Sequence, residues 1–253
     1  MSNIFSNHHR APYFLNKFEQ IFEYLLLFKD TKKISISEED IYQIFKEDKR
    51  LLFLLFEKGY AFPDEFLLYY LQNNEKFNKL FLYLYPSIKS FIKEDRKKKI
   101  EEEIKNNYCK LEEFEEKCRI GENDSYICTL IREDSVVEFI KYVNQNKISL
   151  SSKIAPSFFE TNSFLIERNP SLIEYAAFFG SIQIIRYLKY NKIPMWLYAV
   201  HSHNAELIHF LEENEVIPEK EYDESYFYRY QYIDDNPYEE VFKESIKCHH
   251  NEI

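Results

Sequence analysis

The stretch VEFIKYV, residues 137–143, decides the fold, because it recurs as IQIIRYL at residues 182–188 and as AELIHFL at residues 205–211. All seven columns of the three segments keep their chemical class. Three positions beyond each copy stands an asparagine, and a β-branched apolar residue follows two positions later: Asn146 with Ile148, Asn191 with Ile193, and Asn214 with Val216. Repetition of this kind predicts a stacked helical array.

Composition agrees with helices. The chain has 253 residues, of which 45% are apolar, so there is ample material for a core. It contains three glycines, too few for sheets joined by tight hairpins, which use glycine at positive φ. We therefore expect an all-α fold, with helices of about ten to fifteen residues separated by caps.

Charge and hydropathy narrow the class of partner. We find no signal-peptide pattern, and the longest apolar runs have six residues, so we expect an intracellular, cytoplasmic protein without a membrane partner. The net charge is −10, and residues 212–244 hold twelve acids against three bases. Nucleic acid is not expected as a ligand, since phosphate binding needs a basic face. Four sparse cysteines indicate reduced thiols rather than a disulfide scaffold.

The repeats suggest two regions. Residues 1–120 read as an N-terminal helical region with degenerate repeats, and residues 121–253 as a repeat region. Residues 245–253 align on residues 199–207 and stop within a second helix, so we expect a truncated final unit. Gly59 and Asn214 occupy the same column of a similar segment, and both are expected to end a helix in the left-handed conformation. Residues 94–119 predict one or two polar helices with an apolar stripe.

The segment YAAFFGSIQIIRYL, residues 175–188, resembles the helix-turn-helix of an ankyrin repeat, and residues 196–211 resemble a second unit. The spacings of 23 and 45 residues differ from the regular 33, and the Thr-Pro-Leu-His signature is absent. Residues 121–128 and 162–181 are similar to a divergent domain of unknown function that accompanies ankyrin repeats and is expanded in some protists. The resemblance implies an ankyrin-like helical solenoid and no catalytic residues.

Three features are candidate sites. The first is the acidic, aromatic segment 221–235, where Tyr226, Tyr228, Tyr230 and Tyr232 offer contact area to a basic protein partner, unless they fold back onto the array. The second is the pair Phe178 and Phe179, at columns that face the concave groove in ankyrin units, with His201 one unit later. These aromatic rings are predicted either to be exposed for binding or to pack under an insertion at residues 149–170.

The third candidate is the set of histidines and cysteine around His201, His203 and Cys248, followed by His249 and His250. Structural zinc uses four convergent ligands, usually in paired short spacings, and no second pair is present. We interpret these histidines as turn and surface residues and expect no metal and no cofactor.

The sequence also lacks the motifs of catalysis, such as a nucleophile elbow, a phosphate-binding glycine loop or a zinc-protease helix. The resulting hypothesis is a protein-protein interaction scaffold without enzymatic activity, which binds through Phe178, Phe179, His201, His203 and the four tyrosines. Two alternatives stay open. One is an N-terminal capping module of a longer ankyrin array, and the other is a cryptic hydrolase assembled from distant helices.

Overall fold

A computed structural model of the chain describes Gln20, Phe45 and residues 48–63, 68–69, 78–188, 195–218 and 237–248. Within these residues there are twelve α-helices and no strand, and the one isolated β-bridge joins Lys153 to Ser171. The predicted all-α class is confirmed. The four cysteines lie in this part of the chain and form no disulfide.

The chain divides into two compact units that are interleaved in sequence. The first comprises Met1–Asp124 and Ser157–Ser163, and the second comprises Ser125–Pro156 and Phe164–Ile253. Each unit has its own hydrophobic core. The predicted regions 1–120 and 121–253 concern repeat content, and that division stays a prediction.

The first unit is built from four described helices around a core rich in Phe, Tyr and Leu. These are α1 (Lys49–Glu57), α2 (Asn78–Ile88), α3 (Glu94–Asn107) and α4 (Leu111–Ile120), with a 3₁₀ turn at Lys89–Phe91. The polar stretch thus forms two helices, as predicted, and buries Ile100, Ile104 and Phe114 from its apolar stripe. Gly59 follows α1 at φ +70°, which confirms its predicted left-handed role.

The second unit is built from eight described helices. They are α5 (Tyr126–Arg132), α6 (Val136–Asn146), α7 (Ser163–Arg168, whose first residue belongs to the first unit), α8 (Leu172–Phe179), α9 (Ile182–Leu188), α10 (Met195–His201), α11 (Ala205–Glu213) and α12 (Glu239–Lys247). All seven residues of α10 are buried, so this helix lies inside the core of the unit. The three repeated segments lie within α6, α9 and α11, which confirms that they are helical.

Three helix pairs of the second unit, α5–α6, α8–α9 and α10–α11, are joined by turns of the same geometry. A left-handed residue occupies each turn: Asp134 at φ 49°, Gly180 at φ 66° and His203 at φ 53°. The following amide donates to the carbonyl five residues earlier, as in Ser181 to Ala176 at 2.9 Å and Asn204 to Ala199 at 3.0 Å. This is the bonding of a Schellman helix end, formed three times.

The repeated asparagines act differently from the prediction. Asn214 has φ −97°, so its predicted left-handed conformation is wrong, and the next residue, Glu215, has φ 53° instead. The Asn214 side-chain amide donates to the Phe210 carbonyl at 2.7 Å, and Asn146 makes the same bond to Tyr142 at 2.9 Å. Both asparagines therefore cap their helices through the side chain, because the last carbonyls of a helix lack intrahelical donors.

Candidate functional site

His201 ends α10 and is one of the most deeply buried polar residues of the second unit, with 1% of its surface exposed. Its imidazole stacks on the ring of Phe164, with 3.8 Å between ring centroids. Phe178 lies on the same side of the core, at 5.8 Å from the imidazole. These aromatic contacts hold the imidazole in one orientation.

Glu244 and Cys248 approach His201 from α12. Residues four apart lie on one face of a helix, so Glu244 and Cys248 point the same way, and both are buried. Val241 shares this inner face, while Phe242 and Ile246 lie on the outer face with 62% and 56% of their surfaces exposed. The sequence of α12 thus presents one polar pair to the interior of the unit.

The side-chain donors of these three residues, which we call the His201 cluster, converge on one region. Glu244 Oε1 is 2.7 Å from His201 Nδ1, and Cys248 Sγ is 3.5 Å from the same nitrogen. The Cys248 Sγ to Glu244 Oε1 distance is 3.7 Å. The second carboxylate oxygen, Oε2, accepts a hydrogen bond from Lys247 Nζ at 3.2 Å.

Electrostatics favours an ionised glutamate and a protonated thiol in this cluster. Burial alone raises the pKa of Glu244, but the hydrogen bond with His201 and the positive charge of Lys247 outweigh it and lower the pKa to about 2. Burial and the neighbouring Glu244 carboxylate raise the pKa of Cys248 to about 12. Without a further positive charge, Cys248 therefore stays a thiol near neutral pH.

This arrangement does not suit nucleophilic catalysis. In a Cys-His-carboxylate triad, the thiol and the carboxylate contact opposite nitrogens of the imidazole. Here Cys248 and Glu244 both contact Nδ1, and the raised thiol pKa is the reverse of what an attacking cysteine needs. Three different donor types that converge on one point are instead typical of a metal site.

The structure places the predicted aromatic residues in the core. Phe178 and Phe179 are buried, with 2% and 7% of their surfaces exposed, so the alternative of an exposed aromatic surface is wrong. Phe178 stacks on Phe164, which belongs to the insertion at residues 149–170. Packing beneath that insertion, the other alternative, describes Phe178. A part in partner binding stays a prediction for both.

The predicted histidines separate. His203 is exposed in its turn, as expected, whereas the interpretation of His201 as a turn or surface residue is wrong, because its ring is buried. The four tyrosines Tyr226, Tyr228, Tyr230 and Tyr232, together with His249 and His250, lie outside the described residues. The expectation of no metal was based on the absence of paired short spacings. It did not consider Glu244, for which the only sequence signal is its spacing of four from Cys248.

The first unit contains a second buried polar group. The Glu160 carboxylate accepts backbone N–H groups of Asn123 at 3.2 Å and Asn162 at 2.9 Å, although burial raises its pKa. Lys49 Nζ donates to the Phe158 carbonyl at 2.7 Å and lies 4.7 Å from the centre of the Tyr83 ring. These contacts hold residues 157–163 against the core, and we assign them a structural role.

Among the described residues, no helix combines the length and apolar character that crossing a membrane requires. No protein-family model, curated protein or solved structure matches this chain. The expected ankyrin-associated family therefore stays a prediction.

Proposed function

We propose that this chain is a protein-interaction scaffold built from ankyrin-like helix-turn-helix pairs, without catalytic activity. The observation that carries the proposal is the threefold recurrence of one turn geometry, at Asp134, Gly180 and His203. Repeated helix pairs stack into arrays that bind through their surfaces. A pre-formed helical surface also loses little conformational entropy on binding.

The partner that fits best is a basic protein with apolar contact residues. The outer face of α12 exposes Phe242 and Ile246 side by side, four residues apart. Glu239 and Glu240 lie on the same helix, within the strongly acidic stretch 212–244. An apolar pair bordered by acids matches a basic, amphipathic segment, because charge complementarity guides association while apolar burial supplies affinity.

The test uses the full chain as bait in lysate of its native cells, with a photo-crosslinking residue at position 242. The captured protein is purified, and its affinity is measured for wild type and for the double variant Phe242→Asp/Ile246→Asp. The matched control is Tyr126→Asp/Val137→Asp, which changes two exposed apolar residues of the same unit, 54% and 71% exposed. A third bait changes the four tyrosines of residues 226–232 to serine.

We expect a basic partner that crosslinks at position 242, binds the α12 variant at least about tenfold more weakly and binds the control normally. Loss of binding only in the tyrosine variant would move the site to the acidic segment. Capture of no partner would contradict the scaffold and favour the capping module. The hydrolase alternative has no support in the His201 cluster, for the reasons of geometry given above.

A further inference from the structure

We propose that the His201 cluster is a binding site for a zinc ion, with His201 Nδ1, Glu244 Oε1 and Cys248 Sγ as its protein ligands. These three donor atoms all lie within 4.8 Å of one another, and all three residues are buried. They come from two helices of the second unit, and His201 and Cys248 are 47 positions apart. The proposal does not depend on the scaffold function proposed above.

The spacing of the donors is close to that of a tetrahedral zinc site. Zinc bonds of about 2.0–2.3 Å place neighbouring donors about 3.3–3.7 Å apart. The two distances that involve Cys248 Sγ, 3.5 Å and 3.7 Å, lie in this range. Only the 2.7 Å distance between His201 Nδ1 and Glu244 Oε1 must open, by about half an ångström, as an ion replaces the hydrogen bond.

Neighbouring side chains hold the ligands in place. The imidazole is stacked on Phe164, which limits its rotation. Lys247 Nζ bonds Glu244 Oε2, so Oε1 is the oxygen directed to the other donors. Partners of this kind orient ligands and raise metal affinity.

The donor set selects the class of metal. A thiolate and an imidazole suit Zn²⁺, whereas Mg²⁺ and Ca²⁺ prefer oxygen ligands alone. On binding, the Cys248 thiol loses its proton to solvent and the thiolate coordinates the ion. Three protein donors leave the fourth tetrahedral position of zinc to a water molecule.

A bound ion would join α10 to α12 by coordination bonds. The alternative is that the same three side chains form only a hydrogen-bonded contact between these helices. The two cases differ in metal stoichiometry and in the spectrum of a bound transition metal, and both can be measured on the full chain.

In the experiment, the metal-free chain is titrated with Zn²⁺ against a chromophoric chelator and separately with Co²⁺, which takes zinc sites and reports thiolate ligation by a charge-transfer band. The variants are Cys248→Ser and Glu244→Gln, both nearly isosteric. The matched control is Cys128→Ser, another buried cysteine of the second unit. A further variant changes His249 and His250 to alanine, and circular dichroism checks that each variant is folded.

We expect about one zinc per chain, a Co²⁺ charge-transfer band that disappears in Cys248→Ser but not in Cys128→Ser, and at least about a hundredfold weaker binding in Cys248→Ser. Glu244→Gln should also weaken binding. Absence of zinc binding by the wild-type chain would overturn the proposal. It would equally be overturned if binding survived Cys248→Ser and Glu244→Gln and was lost only in the His249 and His250 variant.

Discussion

Gly180 is the residue whose local geometry leaves the least room for a side chain. It adopts φ +66° in the turn between α8 and α9, where a residue with a Cβ is strained. A methyl group built at Gly180 would also overlap the Asn204 side-chain amide. Asn204 in turn caps α11, because its Oδ1 accepts the Leu207 N–H at 2.9 Å. One glycine thus protects both a turn and a helix cap.

Gly180→Ala is therefore expected to lower the free energy of unfolding by about 2–3 kcal/mol, of which about 1–2 comes from the left-handed backbone and about 1 from the displaced cap. Urea unfolding measures the loss. Hydrogen exchange should show reduced protection at the start of α11.

Gly59→Ala is the matched control, since Gly59 has a similar φ of +70° but its nearest neighbour atom, on Phe62, would lie 3.8 Å from the new methyl group. Only the backbone cost of about 1–2 kcal/mol is expected there. Unchanged exchange in α11 of Gly180→Ala would contradict the proposed link to Asn204.

At the same scale, sequence predicts a left-handed residue only when it is glycine. Gly59 was predicted correctly, whereas the left-handed positions at Lys147 and Glu215 were missed. Lysine and glutamate have no preference for this conformation, so there is no local signal to read. In these cases the Schellman bonds of the helix end impose the backbone conformation.

Among the elements, α9 depends on a residue from another helix pair. It has seven residues, and its early N–H groups at Gln183 and Ile184 donate to the Asp134 carboxylate at 3.1 Å and 3.0 Å. Such N–H groups have no intrahelical acceptor, so an external carboxylate caps the helix and also suits its dipole.

Asp134→Ala should accordingly destabilise the second unit by about 1–2 kcal/mol, through the loss of the cap and a poorer left-handed residue. Asp134→Asn is the conservative control. It keeps an acceptor oxygen and tolerates the turn, so it should lose less than half as much. Thermal unfolding of the two variants gives the comparison, and equal losses would argue against a capping role.

Repetition in the sequence predicted the existence of α6, α9 and α11 but not the contacts between elements. The Asp134 cap joins residues 49 positions apart, and the His201 cluster joins residues 43 and 47 positions apart. Such convergence is set by tertiary packing, which spacing within one segment does not encode. For the same reason His201 was noticed while the burial that gives it chemical interest was not.

For the whole molecule, the most direct pH dependence comes from Lys49 in the first unit. Burial lowers its pKa to about 8 in the folded state, although the Glu160 charge opposes the shift. Between pH 8 and the unfolded-state value near 10.5, the unfolded chain binds more protons than the folded chain. Stability should therefore rise with pH across this window.

Lys49→Met removes this titration, so the difference in unfolding free energy between wild type and variant should change by about 2–3 kcal/mol from pH 7.5 to pH 10.5. Denaturant unfolding at a series of pH values measures it. Lys58→Met, at an exposed position, provides the control and should run parallel to wild type. Parallel behaviour of Lys49→Met as well would show that Lys49 is solvated.

The interleaving of the two units has a consequence for the order of events during synthesis. Phe158, Phe159 and Glu160 complete the first unit, yet residues 125–156 of the second unit leave the ribosome before them. Domains usually fold from the N-terminus as they emerge. Here the first unit must wait, with part of its aromatic core uncovered, while 32 residues that belong elsewhere pass by, and that interval is when a chaperone would find its substrate.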